Sequence, residues 1–361
     1  MNRRLDVELH HRLGRIDLDL RLAVGQETLA LVGPSGAGKS SVLRAIAGLL
    51  TPNKGCIVCA GRPLLNTERH VNLPPEDRRV GLVFQDGALF PHMTVAQNIA
   101  YALWPHPRGR RNRRARVGEI LEQFTIASLA SARPARISGG EQQRAAIARA
   151  VATSPDVLLL DEPLSSLDTV TKDRIVAELS SILTSLCLPT VLVSHDFGDV
   201  AGLAQRIAVM DAGRIVQSGT PAELLHTPRS AFVAAFTGTN YFTGNAKRDG
   251  AATRIDLDGG GQLVSDDSVA GRVGVVVQPW HVAIRDASDR QRDMNTLIGP
   301  VLSLVPHGNA LRVSVASTPA IVAEVPASAP RAADLTAGAI VAATWPQALT
   351  RLVLDDTDSV G

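Results

Sequence analysis

The chain has 361 residues, of which 45% are apolar and 20% are charged, and its formal net charge is +2. This composition is that of a folded globular protein and excludes a disordered or collagen-like chain, while the length predicts two domains. No run of eighteen apolar residues occurs and acidic residues interrupt the first twenty positions, so we expect neither a membrane-spanning helix nor a secretory leader. Three cysteines are too few for a disulfide framework and favour a reducing cytosol.

The first elements lead into a glycine-rich loop. Residues 4–24 alternate apolar and polar side chains in two short runs, which predicts an antiparallel hairpin with one solvent-exposed face. An apolar strand is predicted at 27–32, and residues 41–50 have apolar side chains at helical spacing. Between them, residues 33–40 read GPSGAGKS and fit the pattern G-x-x-x-x-G-K-[ST]. In this pattern, backbone N–H groups and the positive end of a helix face phosphate oxygens, which predicts a nucleotide site.

A C-x-x-C pair follows in residues 56–60 (CIVCA), which are typical of a buried strand. Positions i and i+3 of a strand face opposite sides of the sheet, so Cys56 and Cys59 are not expected to share a metal ion or to form a redox pair.

A helical region is predicted between the early strands and the later ones. Residues 80–84 (VGLVF) are typical of a buried strand, residues 85–93 are rich in turn formers, and residues 94–103 and 112–132 have helical spacing. Six arginines lie between positions 108 and 116. They favour a solvated helix start over a nucleic-acid patch because no aromatic residue for base stacking accompanies them; attraction to anionic headgroups of a nearby membrane leaflet is the open alternative.

A capped helix and a parallel sheet are predicted next. Ser138 to Glu141 form a capping box S-x-x-E in front of a predicted helix at 142–152. Apolar strands at 157–160 and 190–194, with a helix at 171–186 between them, give the β-α-β order of a parallel sheet. The first of these strands runs directly into Asp161 and Glu162.

The pattern changes near residue 240. Before it, residues 206–216 predict a hairpin, residues 220–223 predict a second helix cap, and helical spacing ends at Phe236. After it, a small all-β domain is predicted from short strands at 254–257, 273–278, 297–305, 310–315, 321–325 and 340–344.

Taken together, these motifs resemble the ATP-binding subunit of an ABC transporter over about the whole chain. The matching elements, in chain order, are the Walker A loop Gly33 to Ser40, the Q-loop Gln85, the signature Ser138-Gly139-Gly140-Glu141-Gln142, the Walker B strand ending at Asp161, the adjacent Glu162, the D-loop Ser165-Ser166-Leu167-Asp168 and the switch His195. The implied fold is an α/β P-loop (RecA-like) ABC ATPase domain at 1–235, with a helical subdomain at about 88–152. A small all-β, OB-like C-terminal domain of TOBE/MOP type is implied at 240–361.

The resemblance also implies the residues of an ATP-hydrolysing site. The implied catalytic residues are Glu162, His195, Gln85 and Lys39, and Mg²⁺ would be held by Ser40, Gln85 and Asp161. ATP would be bound by two groups of residues: Gly33, Pro34, Ser35, Gly36, Ala37, Gly38, Lys39, Ser40 and Ser41 of one copy, and Ser138, Gly139, Gly140 and Glu141 of a second, head-to-tail copy.

Two departures from the family pattern bear on this site. Glu141 stands where glutamine is usual, and a carboxylate would be repelled by a γ-phosphate, so we expect Glu141 to turn back onto the Ser138 N–H. No aromatic residue precedes Phe84, although an aromatic residue usually stacks on adenine upstream of Walker A. The candidates left for that contact are His10, His11, Arg12 and Leu13.

Within the family, residues 73–95 and 236–244 are similar to oxyanion importers of the molybdate type. Residues 293–301 are similar to a small β module that binds molybdate in related proteins, but Met294 replaces the usual arginine, so oxyanion binding and a structural role in supporting a dimer both stay open. The implied function is ATP hydrolysis coupled to molybdate import, at the cytoplasmic face of the membrane. Integral permease subunits and, indirectly, a solute-binding protein are the other implied partners.

Three alternatives stay open. The transported substrate could be sulfate or ferric iron. The chain could also be a soluble ABC ATPase that acts on ribosomes or DNA, although neither a second ATPase cassette nor a long coiled coil is present. In the third alternative, the β domain is a regulatory module that binds oxyanion by itself.

Overall fold

The computed structural model describes residues 4–85, 87–104, 110–165, 169–250, 252–289, 294–329 and 331–354. Packing of the backbone divides the chain into two compact units, Met1–Pro221 and Ala222–Gly361. The sequence pattern predicts a domain boundary near 240, whereas this division lies earlier and groups two short helices with the second unit. Among the described residues, no helix combines the length and the apolar character needed to cross a membrane.

The first unit alternates strands and helices. In chain order its elements are β1 (Leu5–Leu13), β2 (Ile16–Val24), β3 (Thr28–Val32), α1 (Lys39–Ala47), β4 (Lys54–Cys59), β5 (Arg62–Asn66), β6 (Val71–Asn72), β7 (Val80–Val83), α2 (Val95–Ala102), α3 (Arg110–Gln123), α4 (Gly139–Ala152), β8 (Val157–Asp161), α5 (Thr169–Leu186), β9 (Thr190–Ser194), α6 (Phe197–Leu203), β10 (Arg206–Asp211) and β11 (Arg214–Gly219).

A six-stranded sheet forms the centre of this unit, in the order β11-β10-β3-β9-β8-β7. Neighbours from β10 to β7 run parallel, and β11 adds an antiparallel edge. Every residue of β3 and β9 is buried, as expected where helices cover both faces of a parallel sheet. The apolar runs in the sequence therefore predicted the central strands correctly.

A second, antiparallel sheet has the order β2-β1-β4-β5-β6. Alternate side chains of β1 are buried, beginning with Leu5, Val7 and Leu9, which confirms the predicted hairpin with one solvent-exposed face. Cys59 is buried and Cys56 is half-buried, three positions apart in β4, as the strand pattern predicted. The short strands β5 and β6 were not predicted.

Helices α2, α3 and α4 form the predicted helical region. A capping box begins α2, in which the Thr94 side chain accepts from the Gln97 N–H and the Gln97 side chain accepts from the Thr94 N–H. Within α2, Asn98 is completely buried. Helix α3 ends at Gln123, earlier than the periodicity suggested, and a short 3₁₀ turn follows at Ala127–Leu129.

The second unit is rich in β-structure. Its elements are α7 (Pro221–His226), α8 (Ala231–Thr237), β12 (Asn240–Asp249), β13 (Ala252–Leu257), β14 (Gln262–Ser265), β15 (Gly271–Val277), β16 (Ala283–Asp286), β17 (Met294–His307), β18 (Ala310–Val315), β19 (Ile321–Pro326), β20 (Ile340–Pro346) and β21 (Arg351–Leu354). Two five-stranded sheets, β14-β13-β12-β15-β21 and β16-β20-β17-β18-β19, enclose a core that includes Ile255, Val273, Val313 and Trp345. The predicted strands are present, and β12, β14, β16 and β21 were missed.

Candidate nucleotide site

The glycine-rich loop connects the end of β3 to the start of α1. Two of its glycines are closely packed: a side chain at Gly33 would collide with the carbonyl oxygen of Met210, and one at Gly38 would press on the end of the Leu18 side chain. Gly38 also has φ of +100°, a left-handed conformation that suits glycine, and it directly precedes the first turn of α1. Backbone N–H groups at this helix start are not used by the helix itself.

Lys39 is the first residue of α1, and its side chain lies within the loop with 7% of its surface exposed. The ammonium donates hydrogen bonds to the carbonyl oxygens of Gly33 and Pro34, each at 2.8 Å. Burial lowers the pKa of Lys39, and the nearby carboxylates of Glu162 and Asp161 act in the opposite direction. A cation is thus buried against the same loop whose N–H groups attract anions.

Ser40 and Asp161 join this loop to the end of β8. The Ser40 hydroxyl donates to Oδ1 of Asp161 at 3.2 Å. Burial raises the pKa of Asp161, while the hydrogen bond from Ser40 lowers it. A hydroxyl and a carboxylate held together are hard oxygen donors of the kind that Mg²⁺ prefers, so the donor set fits the predicted ion.

Glu162 and His195 lie beside this pair. Glu162 has φ of +47°, which is uncommon for a residue with a side chain, and its N–H donates to the carbonyl oxygen of Val193 at 3.0 Å. Its Oε1 is 3.3 Å from Nδ1 of His195, which directly follows β9. The backbone of Glu162 is therefore fixed on the neighbouring strand while its carboxylate faces the histidine.

Parallel register explains why these residues meet. Val32 of β3 pairs with Ser194 of β9, and Asp161 of β8 pairs with Val193, so all three strands end at one edge of the sheet. Catalytic and binding groups of open α/β sheets lie beyond the carboxyl ends of their strands.

Gln85 lies at the same edge, two residues beyond β7, and is exposed. Among the described residues, no hydrogen bond joins the Gln85 side chain to Ser40 or Asp161. Of the predicted D-loop, Ser165 donates its hydroxyl to the Glu162 carbonyl at 2.9 Å, and residues 166–168 lie outside the described residues.

The signature segment forms the amino-terminal end of α4. The Ser138 N–H donates to Oε2 of Glu141 at 2.8 Å, and the Glu141 N–H donates to the Ser138 hydroxyl at 3.4 Å. The Ser138 hydroxyl also donates to Oε2 of Glu141, and the two hydrogen bonds from Ser138 to this carboxylate hold the pKa of Glu141 below its ordinary value. The prediction that Glu141 turns back onto Ser138 is confirmed. Gly139 and Gly140 form the first turn, so the helix begins earlier than predicted.

The signature is separate from the glycine-rich loop within one chain. In the described part of the structure, the side chains of Ser138 and Glu141 hydrogen-bond to each other and to no residue of 33–41. The structure therefore brings together Lys39, Ser40, Asp161, Glu162 and His195, but it does not bring Ser138 to Glu141 into that group.

The β1–β2 hairpin divides the four adenine-stacking candidates between its two faces. His11 pairs with Leu18, which packs at Gly38, and paired residues point to the same face of a sheet. His10 and Arg12 occupy the alternate positions and point to the opposite face, where Nδ1 of His10 is 2.9 Å from Asp19. His10 and Arg12 therefore lie on the face away from the loop, and His11 and Leu13 lie on the face toward it.

Sequence reasoning missed two residues that support the site. Arg78 is 1% exposed and donates to the carbonyl oxygens of Ala45 and Ile46, at the carboxyl end of α1. Lys172 of α5 forms an ion pair with Asp199 of α6, whose pKa is raised by burial. Neither residue belongs to a local motif, because each contact joins positions far apart in the chain.

Comparison with known proteins decides the family. A family model described as ABC transporter matches residues 16–165. The Fe(3+) ions import ATP-binding protein FbpC of Streptomyces avermitilis is 40% identical over 280 residues, which are 78% of this chain and 78% of that protein. The chain belongs to the ABC transporter ATP-binding proteins. The molybdenum import ATP-binding protein ModC of Paramagnetospirillum magneticum is 36% identical to this chain. The match covers 85% of this chain and 86% of that protein.

A solved structure supports the same assignment. The protein cbiO1 of Clostridium perfringens, described as part of the ABC transporter complex cbiONQ, matches with a TM-score of 0.55 at 26% identity, covering 62% of this chain and 91% of that one. The ABC protein therefore has the P-loop ATPase fold and a β-rich C-terminal unit, and it is an ATP hydrolase.

Proposed function

We propose that this chain is the ATP-hydrolysing subunit of a molybdate importer and that it acts as a head-to-tail pair of copies. In the proposed complex it binds permease subunits at the cytoplasmic face of the membrane, and a solute-binding protein delivers the substrate. The observation that carries the proposal is the meeting of Lys39, the Ser40–Asp161 pair and the Glu162–His195 pair at one edge of the sheet.

Phosphoryl transfer to water needs positioning and charge stabilisation more than covalent chemistry by the protein. Lys39 and the N–H groups of 33–41 would bind the phosphates. Ser40, Asp161 and Gln85 would hold Mg²⁺, which would neutralise charge on the phosphate oxygens. Glu162, with its backbone fixed on Val193, would orient the attacking water and accept its proton, while His195 would hydrogen-bond the γ-phosphate.

The head-to-tail pair is supported by the separation of the signature from the loop. Ser138 and Gly139 are exposed at the start of a 14-residue helix, whose positive end attracts an anion. The Glu141 carboxylate accepts from the Ser138 N–H, so it has a partner within its own chain. A second copy would therefore offer Ser138 to Gly140 to the γ-phosphate bound by the first, and hydrolysis would remove that contact.

A surface groove supports the permease as a partner. It is lined by His92, Met93, Gln97, Ala100, Tyr101, Trp104 and Arg113. Trp104 is 68% exposed and Tyr101 is 53% exposed, and exposed aromatic residues in a groove are typical of a protein-binding surface. The Tyr101 and Phe90 rings are in edge-to-face contact with 4.8 Å between centroids, so the groove adjoins the segment that follows Gln85.

Molybdate is the substrate that residues 73–95 and 236–244 favour by resemblance. Relatives named for iron(III), sulfate/thiosulfate and molybdenum import match at 40%, 44% and 42% identity, so sulfate or iron(III) is the alternative. In the β-rich unit, the Asn295 amide is committed to Val264 and Thr350. That commitment, with Met294 in place of arginine, favours a supporting role for this unit over oxyanion binding.

Uptake measurements test the proposal. Cells with and without the gene are given labelled molybdate, sulfate or iron(III), and the subunits that co-purify with the chain are identified. Gene-dependent molybdate uptake and a co-purifying membrane permease are expected. Gene-dependent sulfate uptake alone would overturn the substrate assignment, and co-purification with ribosomes in place of a permease would overturn the transport function.

A further inference from the structure

An arginine of α4 holds the turn that follows Gln85. Arg149 donates to the carbonyl oxygen of Ala88 at 2.7 Å and to that of Gly87 at 3.0 Å, one bond from each terminal nitrogen. Its guanidinium carbon also lies 5.5 Å from the centre of the Phe90 ring. Ala88 has φ of +47°, a left-handed conformation that is uncommon with a side chain, so the two carbonyls face one guanidinium only while this strained turn is maintained.

All described partners of the Arg149 guanidinium lie in residues 87–90. Burial lowers the pKa of Arg149, and among the described residues no carboxylate forms an ion pair with it. Two carbonyl oxygens and an aromatic face receive the guanidinium instead. A lysine has no planar fork and cannot reproduce two divergent hydrogen bonds and the ring contact together.

The turn is also bound to α2. The Phe90 N–H donates to Oδ1 of Asn98 at 2.8 Å, and Nδ2 of Asn98 donates back to the Phe90 carbonyl at 3.2 Å. Asn98 is completely buried, and α2 packs against α4. Residues 87–90 are therefore fixed to two packed helices, and Gln85 lies two positions before them in the chain.

Helix α4 carries this connection to the signature. Arg149 lies in its last turn, and Ser138 caps its first, about 16 Å away at 1.5 Å per residue. Because a helix is stiff over this length, a displacement of the turn at one end is transmitted to the other.

We propose that Arg149 is a positioning residue that makes the Gln85 turn and the Ser138 end of α4 move as one body when nucleotide binds. This inference rests on the proposed roles of Gln85 and Ser138 in ATP hydrolysis. Arg149 touches neither the glycine-rich loop nor the Asp161 edge in the described contacts, so its substitution alters hydrolysis and leaves nucleotide binding to Lys39 and its loop intact.

The test uses the full chain with Arg149→Met, Arg149→Lys and the control Arg116→Met. Arg116 is a partly buried arginine of α3 that contacts Glu119 and Ser154. Arg149→Met is expected to lower kcat about tenfold and to change the ATP dissociation constant by less than about twofold. Arg149→Lys is expected to lower kcat about threefold, and the control Arg116→Met is expected to lower it by less than about twofold. Arg149→Lys carries the test alone if circular dichroism shows that Arg149→Met is unfolded.

A double variant separates positioning from a merely structural role. If Arg149 acts through the turn, Arg149→Met combined with Gln85→Ala has the kcat of the poorer single variant, whereas independent effects multiply. Hydrogen exchange of 84–90 is expected to rise in Arg149→Met and not in Arg116→Met. This inference would be overturned if the kcat losses of the two variants multiply, or if hydrogen exchange of 84–90 is unchanged in Arg149→Met. In either case ATP hydrolysis by the wild-type chain would still support the proposed function. A wild-type chain without ATPase activity would overturn both.

Discussion

The Lys39 loop and the amino-terminal end of α4 both present N–H groups at the start of a helix, but they are held in different ways. The loop is held by hydrogen bonds within the chain: Lys39 donates to the carbonyls of Gly33 and Pro34, and Ser40 donates to Asp161. The α4 end is exposed, and Ser138 and Glu141 satisfy each other locally. The loop is thus preassembled within one chain, whereas the hydrogen bonds of the signature are local, and under the proposed function it acts only together with a second copy.

The largest expected effect comes from removing the buried cation of the loop. We expect Lys39→Ala to lower ATPase activity by about a thousandfold because charge on the phosphates loses its closest stabilising group. Burial already disfavours the charged form of Lys39, so removing its side chain should not destabilise the fold. The melting temperature is therefore expected to stay unchanged although the activity is lost. Steady-state hydrolysis and thermal melts check this, with the exposed Lys54→Ala as control. An active Lys39→Ala variant would show that the loop is not the phosphate site.

The second prediction joins the two regions. Glu162→Gln keeps the side-chain shape but removes the base that faces His195, so hydrolysis is expected to fall by about a hundredfold or more while ATP stays bound. The bound γ-phosphate should then hold two copies together, and light scattering should report a long-lived dimer with ATP but not with ADP. Glu68→Gln, an exposed site, is the control. A monomer at saturating ATP would contradict the head-to-tail arrangement.

A smaller effect is expected at the exposed region itself. Ser138→Ala removes the hydroxyl that caps α4, which costs about 1 kcal/mol of stability at a typical helix start. In the Glu162→Gln background it should weaken the ATP-dependent dimer about tenfold without changing ATP binding by the monomer. Sedimentation velocity and nucleotide titration measure the two quantities. If Ser138→Ala weakened the dimer and ATP binding by the monomer equally, the signature would not act separately from the glycine-rich loop.

The smallest effect concerns pH. The pKa of Glu141 is held below its ordinary 4.5 by hydrogen bonds from Ser138, so its contribution to stability is present above the unfolded pKa and is lost as pH falls through the folded one. Glu141→Gln retains the cap geometry but not the charge. The difference in urea midpoint between wild type and this variant should therefore shrink below about pH 4.5. A difference independent of pH would indicate that the carboxylate charge contributes nothing to the cap.

Much of the first unit could be predicted from sequence because its information is local. The run 157–160 is apolar throughout and 190–194 has an apolar centre at 191–193, as expected of strands buried on both faces, and the two runs match β8 and β9 closely. The glycine-rich loop follows β3, Asp161 ends β8, and Glu162 and His195 directly follow β8 and β9, so parallel register brought together residues that the motifs had singled out.

The contacts that hold the site together could not be predicted in this way. Arg149 meets Ala88 across 61 positions, and Arg78 meets Ala45 across 33. Each looks like a solvent-exposed arginine in sequence, since burial of its charge depends on carbonyls supplied by distant backbone. The edge strands β14, β16 and β21 were missed because four residues carry too little periodicity to distinguish a strand from a loop.

The left-handed backbone of Glu162 implies that thermal stability and turnover favour different residues at position 162. A side chain at φ of +47° costs on the order of 1 kcal/mol that glycine or asparagine would avoid. A library of this chain screened for heat resistance alone would therefore enrich replacements at position 162 and discard the carboxylate, while a screen for growth on the transported nutrient would restore it.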